Sequence, residues 1–451
     1  MKRYRFHLLA VLLVLLLAAV AAGCGGDDDD DEAAGDTAAA TDTAGGEEAA
    51  GECGPADASG SITVLAVWTG AEGESFQAVL DGFKEQNPNV NVTYRSARDP
   101  GQVLATSVEG GNPPDLAALP SPGLMRDFAN RDALQPIDFA RDRIGEGYSE
   151  SWLQLGSVDD TLYGVFFKGA NKSTIWYNVQ AFEDAGVEPP EDWDTFLSNA
   201  ETLQQSGVPA YSIGGADGWT LTDLFENIYL RIAGPEKYDQ LTNHEIPWTD
   251  QSVKDTLTEM AKIFSDTDNI AGGTSGALQT DFPTSVTQVF ADPPRAAQVM
   301  EGDFVGGVIS AETQAEAGSG YDVYAFPPIG ESGSVVVGGG DVVVMFQDSP
   351  AAQALICYLA TPEAAQIWAE RGGFSSPNRN VEEGVYPDDI TRKTATDLAN
   401  AETFRFDLSD LLPSAFGGDQ MFTILQDFLQ NPDSVDETAD KLEAAAVRSQ
   451  D

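Results

Sequence analysis

Residues 163–178, YGVFFKGANKSTIWYN, decide how the chain is divided. One apolar run, Gly164 to Phe167, stops at Lys168-Gly169, and a second, Ser173 to Tyr177, begins a few residues later. No Asn-Gly or Asp-Gly pair lies between them to close a hairpin. The two runs therefore read as one extended segment broken at Gly169, a residue with few backbone limits. Such a segment suits a hinge between two lobes; the competing reading is a β-bulge within one sheet.

The start of the chain gives its address. Lys2, Arg3 and Arg5 precede an apolar run, residues 8–22, that ends at Gly23-Cys24. A basic start, a short apolar core and small residues before a cut site describe a secretory signal over residues 1–23. Ala21-Ala22-Gly23-Cys24 resembles the lipobox of bacterial lipoproteins, with Ala21 where Leu is commoner. It implies cleavage before Cys24, acylation of that residue and a lipid anchor at the outer face of the bacterial cell membrane. A plain signal peptide or an uncleaved anchor is the alternative. Residues 24–60 then carry five consecutive aspartates (27–31) and no aromatic residue. They cannot bury enough apolar surface to fold and read as an acidic, disordered tether.

With 24 Lys and Arg against 73 Asp and Glu, the 451-residue chain has a net charge of −49. Nucleic acid is a poor partner, because phosphate contacts need clustered cations. The body beyond the tether is too long for one ordinary core and suits two lobes. With Cys24 acylated, Cys53 and Cys357 remain as an even pair in an oxidising compartment, which permits a disulfide. Cys357 reads equally well as a buried apolar residue of AQALICYLA. His7 leaves with the leader and His244 is the one histidine left, so no His- or Cys-rich metal site and no cofactor are expected.

The body alternates strands and helices. ITVLAVW (62–68) is the near-continuous apolar run of a buried parallel strand. Thr69-Gly70-Ala71 leads into a helix with Phe76, Val79, Leu80 and Phe83 at helical spacing, Asn87-Pro88 stops it, and 90–94 is the next strand. A helix near 102–108 and a strand at 116–119 come next. Further on, helices are expected at 251–264, 294–301, 415–429 and 435–447, and two more within 350–371, broken before Pro362. Strands are expected at 210–213 and 304–309. In open α/β sheets ligands lie beyond the carboxyl ends of strands, which draws attention to Trp68, Glu72 and the loop holding Ser121.

The ordered set ITVLAVWTG, FKEQNPNVNV, GGNPPDLAAL, LYGVFF, TIWYNVQAFEDAG and PEDWDTF, continued by YDVYAFPPIG, VVVGGGDVVV and AAQALICYLATPEAAQIWAERGGFSSPN, carries a resemblance. It is similar to the extracytoplasmic solute-binding proteins of sugar-type ABC importers, the group that includes maltodextrin-binding protein. The resemblance implies an α/β, two-lobe periplasmic-binding-protein-like fold with three hinge crossings. These fall near 168–172, 338–341 and 372–378. Lobe one is then 61–167 plus 342–371, and lobe two 173–337 plus 379–451. Gly338-Gly339-Gly340 and Gly372-Gly373 read as conformationally loose points, as hinges require. Asp303-Phe304 stands where many relatives have a Trp, a departure that bears on ligand choice.

The implied function is capture of a mono- or oligosaccharide by lobe closure and its delivery to a membrane permease, by a monomer without catalysis. A sugar offers hydroxyls at its edge and C–H groups on a ring face, so aromatic rings and acceptor carboxylates are the groups to seek. Trp68, Trp219 and Phe304 are the stacking candidates, each alternatively a core ring. Glu72, Ser121, Asp303, Asp341 and Asp419 are the polar candidates. Gly339 and Gly340 could offer backbone amides, and Phe374 and Arg379 flank the third crossing. No GxxxxGK[ST] loop occurs, so the ATPase subunits are separate chains. The rival readings are a binder of a non-sugar solute, such as a polyol, glycerol phosphoester or peptide, and a secreted glycosidase with paired carboxylates.

Overall fold

The apolar run opening the body becomes a strand buried on both faces. In the computed structural model, which describes residues 53–55, 57–333, 335–399 and 403–449, β1 (Gly60–Ala66) lies between β2 (Val90–Ser96) and β3 (Leu116–Leu119). Both pairings are parallel. Val64 and Ala66 enter one core and Leu65 another, so the run has no polar face to alternate with. The expected signal segment, the acylation expected at Cys24 and most of the expected acidic tether lie outside the described residues.

Helices α1 (Gly70–Gln86) and α2 (Pro100–Glu109) make the crossovers, and α3 (Pro122–Ala129) comes after β3. Two short helices, α4 (Arg141–Gly147) and α5 (Glu150–Leu155), and the hairpin β4 (Ser157–Val158)–β5 (Thr161–Leu162) lead to the first crossing. That crossing is β6 (Gly164–Asn171), and β7 (Thr174–Asn178) begins beyond it. Then come α6 (Val179–Ala185), α7 (Trp193–Ser206), β8 (Tyr211–Ser212) and α8 (Trp219–Thr242), which turns sharply at Gly234-Pro235. Next are α9 (Gln251–Phe264), α10 (Gly273–Ala277), α11 (Phe282–Phe290), β9 (Gln298–Met300), α12 (Val305–Glu312) and β10 (Tyr321–Ala325).

The chain returns through β11 (Val335–Met345), α13 (Pro350–Leu359) and α14 (Pro362–Ala369). After the third crossing come α15 (Asp389–Ala399), β12 (Thr403–Phe406), α16 (Leu408–Leu411), α17 (Met421–Gln430) and α18 (Val435–Arg448). Asp and Ser side chains start many of these helices: Asp192 accepts from Thr195 N–H at 2.8 Å, Asp281 from Thr284 at 3.0 Å and Ser349 from Ala352 at 3.2 Å. The larger sheet runs β12-β11-β3-β1-β2 with β6 also on β11, and the smaller runs β10-β7-β9-β8. Each has an apolar layer on both faces, the arrangement of two α/β lobes. Cys53 and Cys357 are joined by a disulfide that ties the entry of the chain to α13.

The three crossings lie side by side. β11 is one continuous strand: Val335–Gly338 pairs with β12, and its later residues pair with β3 and β6. Gly340 faces Gly169 of β6, and Gly169 N–H in turn donates to the Ser375 carbonyl of the third crossing at 2.7 Å. Gly169 therefore does not break the segment as its sequence suggests; the interruption falls at Lys172-Ser173. A bulge is present as well, since Lys168 faces Asp341 and Phe166 faces Val342, leaving Phe167 unpaired.

The glycines at 338–340 serve close approach rather than looseness. A Cβ at Gly338 would run into the Phe404 ring, one at Gly339 would meet the Lys172 side chain at 2.8 Å, and one at Gly340 the Lys168 carbonyl at 2.8 Å. Two further expectations fail. Residues 298–300 form β9 rather than a helix, because they fill the sheet position between β7 and β8. Residues 305–312 form α12 rather than a strand, because Gly306 and Gly307 let that helix lie against Trp176 and Gly373.

Gly340→Ala places a methyl against a backbone carbonyl that cannot rotate away. We expect it to cost about 1–3 kcal/mol and lower the melting temperature by several degrees. An unchanged melting temperature in scanning calorimetry would show that the crossings have slack.

Candidate functional site

A cleft of about 1220 Å³ opens between the two sheets. One wall comes from the loops after β1, β2 and β3 and from the start of α1. The other comes from the starts of α8 and α11, from Phe304 and from the 419–426 segment; Lys168, Lys172 and Asp341 form the floor.

The second wall carries three rings, each at the start of a helix. Trp219 is the first residue of α8, Phe282 the first of α11, and Phe304 caps α12. Their centroids lie 5.2 Å (Trp219–Phe282), 5.8 Å (Trp219–Phe304) and 5.3 Å (Phe282–Phe304) apart, and all three are half-buried. Gly218 is required before Trp219: its φ of +79° suits glycine, and a Cβ would meet Phe422 at 2.6 Å. Asp217 accepts from Phe282 N–H at 2.7 Å and fixes the second ring.

The facing wall and the floor are polar. Lys168 donates to Glu72, and its ammonium lies 5.2 Å from the centre of the Phe304 ring. Burial works against the Lys168 charge, but Glu72 and Asp341 outweigh it and raise its pKa. Lys172 meets Asp407, Asp223 at 3.1 Å and Asp410 at 3.8 Å. Burial again opposes the charge, and these carboxylates together hold the ammonium proton well above the ordinary lysine range. Arg98, from the loop after β2, spans the mouth to Asp281 at 3.0 Å and Asp217 at 4.0 Å.

Of the residues singled out in the sequence, Glu72, Ser121, Trp219, Phe304, Gly340, Asp341 and Asp419 line the cleft. Ser121 spends its hydroxyl on capping α3, accepting from Leu124 N–H at 3.1 Å. Trp68 touches the cleft only at its edge. Its ring is 1% exposed, packed on Phe76 and Trp368, and its indole N–H donates to Asp341 at 2.5 Å. It is a core ring that holds a carboxylate, not a stacking surface.

Four candidates lie off the cleft. Gly339 sits beneath the Lys172 side chain. Phe374 is buried against Trp368 with centroids 5.1 Å apart. Arg379 is exposed and bonds through its backbone N–H to the Gly147 carbonyl. Asp303 is 2% exposed and turned to the crossings. Sequence reading missed Phe282, Arg98, Phe422, Asp407 and Asp410. The Asp281-Phe282-Pro283 helix start was a usable signal for the first; the others come together only through distant pairings. Among the described residues, no group of three or more His, Cys, Asp or Glu is placed to hold a metal ion.

The sequence profile of the bacterial extracellular solute-binding proteins matches residues 68–366. The osmoprotective compounds-binding protein GgtB of Synechocystis is 34% identical over 379 residues, covering 82% of this chain and 89% of that protein. The alpha-glucosides-binding periplasmic protein AglE of Rhizobium meliloti is 31% identical over 394 residues, with 84% and 85% covered. The bacterial solute receptor AcbH superposes with a TM-score of 0.77 at 20% identity, covering 87% of this chain and 99% of its own, and so shares the fold.

The floor has a consequence for stability. Burial pushes the Asp223 carboxyl from its ordinary 3.8 up to about 8, against the pull of Lys172. Glu226, Glu301 and Asp410 are likewise pushed well above the carboxylate range by burial. Asp407 resists its burial through Lys172 and stays at about 2. The fold thus favours neutral Asp223, whose contribution is complete below its ordinary pKa and is lost as pH rises through about 8; Asp407 behaves oppositely, losing its contribution as pH falls toward 2. We expect the melting temperature to decline from about pH 4 to about pH 8, and Asp223→Asn to flatten part of that decline. An unaltered slope in the variant, followed by calorimetry, would reject this assignment of charge.

Proposed function

Because the chain belongs to the bacterial extracellular solute-binding protein family, we propose that it is the extracytoplasmic receptor of an ABC importer and captures a neutral carbohydrate between its lobes. The observation that carries the reading is the cleft itself, with a three-ring platform on one wall and acceptor carboxylates on the wall and floor opposite. The rings lie against the C–H face of a sugar, while Glu72, Asp341 and Asp419 accept from its hydroxyls. Closure follows because a ligand touching both walls favours the state in which both contacts are made. A shift from mostly open to mostly closed takes about 5 kcal/mol, within reach of several hydroxyl bonds near 1 kcal/mol each and a stacked face.

Charge narrows the class of ligand. Each floor lysine already faces its own carboxylates, and Arg98 is held by Asp281. An anionic solute would enter an acid-lined cleft whose floor cations are already engaged, which disfavours a glycerol phosphoester. One relative is named for binding alpha-glucosides, which supports a carbohydrate, and the other for osmoprotective compounds. The work is recognition; bond breaking is left to other proteins. Lipid on Cys24 holds the receptor to the outer face of the membrane, and the closed form is handed to a permease driven by separate ATPase subunits. The lobes of this reading are residues 61–167 plus 342–371 and 173–337 plus 379–451, with β12 of the second extending the larger sheet through β11.

Thermal-shift and Trp fluorescence titrations against a panel of sugars, polyols, uronates and phosphoesters test the reading. At least one neutral α-glucoside or sugar-derived osmoprotectant is expected to stabilise the protein, and Trp219→Ala to weaken it roughly tenfold, about 1.4 kcal/mol. A folded protein that answers only to a uronate or phosphoester would overturn it.

A further inference from the structure

Asp303, a sequence candidate for the ligand, stands instead where the crossings meet. Its backbone N–H donates to the Asn171 carbonyl at 2.9 Å, and its carboxylate accepts from Asn171 N–H at 3.1 Å, so the two residues bracket each other. Ser375 of the third crossing donates its hydroxyl to the same carboxylate oxygen. The other oxygen is buried without a partner. The next residue is Phe304, a ring of the platform. One side chain thus ties the first and third crossings to the loop that presents an aromatic wall.

We infer that Asp303 is a positioning residue of the cleft: as a carboxylate it pins both crossings to the Phe304 loop, and as a neutral acid it lets that loop loosen. Two hydrogen bonds to one charged oxygen are about twice as strong as bonds to a neutral carboxyl. Burial pushes the Asp303 carboxyl up to about 6, against the Ser375 and Asn171 bonds and the charge of Lys168, so its charge changes in a mildly acidic medium. The charged and titratable groups facing it are Lys168 from β6 and Tyr386 from the segment before α15. An acid-responsive platform goes beyond the receptor reading, and it is decided without a sugar.

Hydrogen exchange on the mature chain, read by mass spectrometry on peptides covering residues 164–178 and corrected for intrinsic rates, is the test. In the wild type, protection of the Asn171 amide should fall about tenfold between pH 7.5 and pH 5, with its midpoint near 6. Asp303→Asn should show the low-protection level at every pH, because the amide mimics the neutral acid in shape. Ser375→Ala, which keeps the carboxylate but removes a donor, should move the midpoint upward and carries the test if Asp303→Asn does not fold. Wild-type protection in folded Asp303→Asn, or an unmoved midpoint in Ser375→Ala, would overturn the inference.

Discussion

Three chain segments meet backbone to backbone where the lobes join, and the rest of the molecule depends on that contact. Gly340, Gly169 and Ser375 stand in one row, close enough that a single methyl at Gly340 would touch a carbonyl. Extended segments held by cross-strand hydrogen bonds resist shear but bend across the strand direction. For the lobe closure proposed above, this contact favours a swing about the row over a sliding of one lobe on the other. The residues that touch both walls inherit this restriction.

The charge of the molecule is handled locally. A chain with a net charge of −49 repels itself and stays soluble, yet it keeps two ammonium groups at the centre. Each survives burial because a charged carboxylate faces it; beside Lys172 that is Asp407, while burial pushes Asp223 and Asp410 upward. The floor is thus nearly neutral and rich in groups that accept or share hydrogen. A polar but uncharged solute is the natural complement to such a surface, and a second uncompensated charge is not.

Patterns contained within one strand or helix were legible in the sequence. The run ITVLAVW announced a strand covered on both sides, and Phe76, Val79, Leu80 and Phe83 at helical spacing announced the helix after it. Where two distant segments decide the outcome, reading failed. The Val-Gly-Gly-Val-Ile stretch after Phe304 has the composition of a strand, but its glycines face Trp176 and Gly373, and only that packing makes it a helix. Trp68 looked like a ring for ligand because it ends a strand; α1 and α14 close over it. Asp223 and Asp407 carry no signal of their own, since nothing nearby in sequence reveals that they share Lys172.

The bond between Cys53 and Cys357 is made before the first strand begins. Any pull transmitted along the preceding residues therefore arrives at helix α13 and bypasses β1, the strand on which the larger sheet is built. With the lipid anchor proposed at Cys24, the load would fall on a helix at the flank and spare the central strand. Reduction of that one bond would let such a pull reach the first residues of β1 directly.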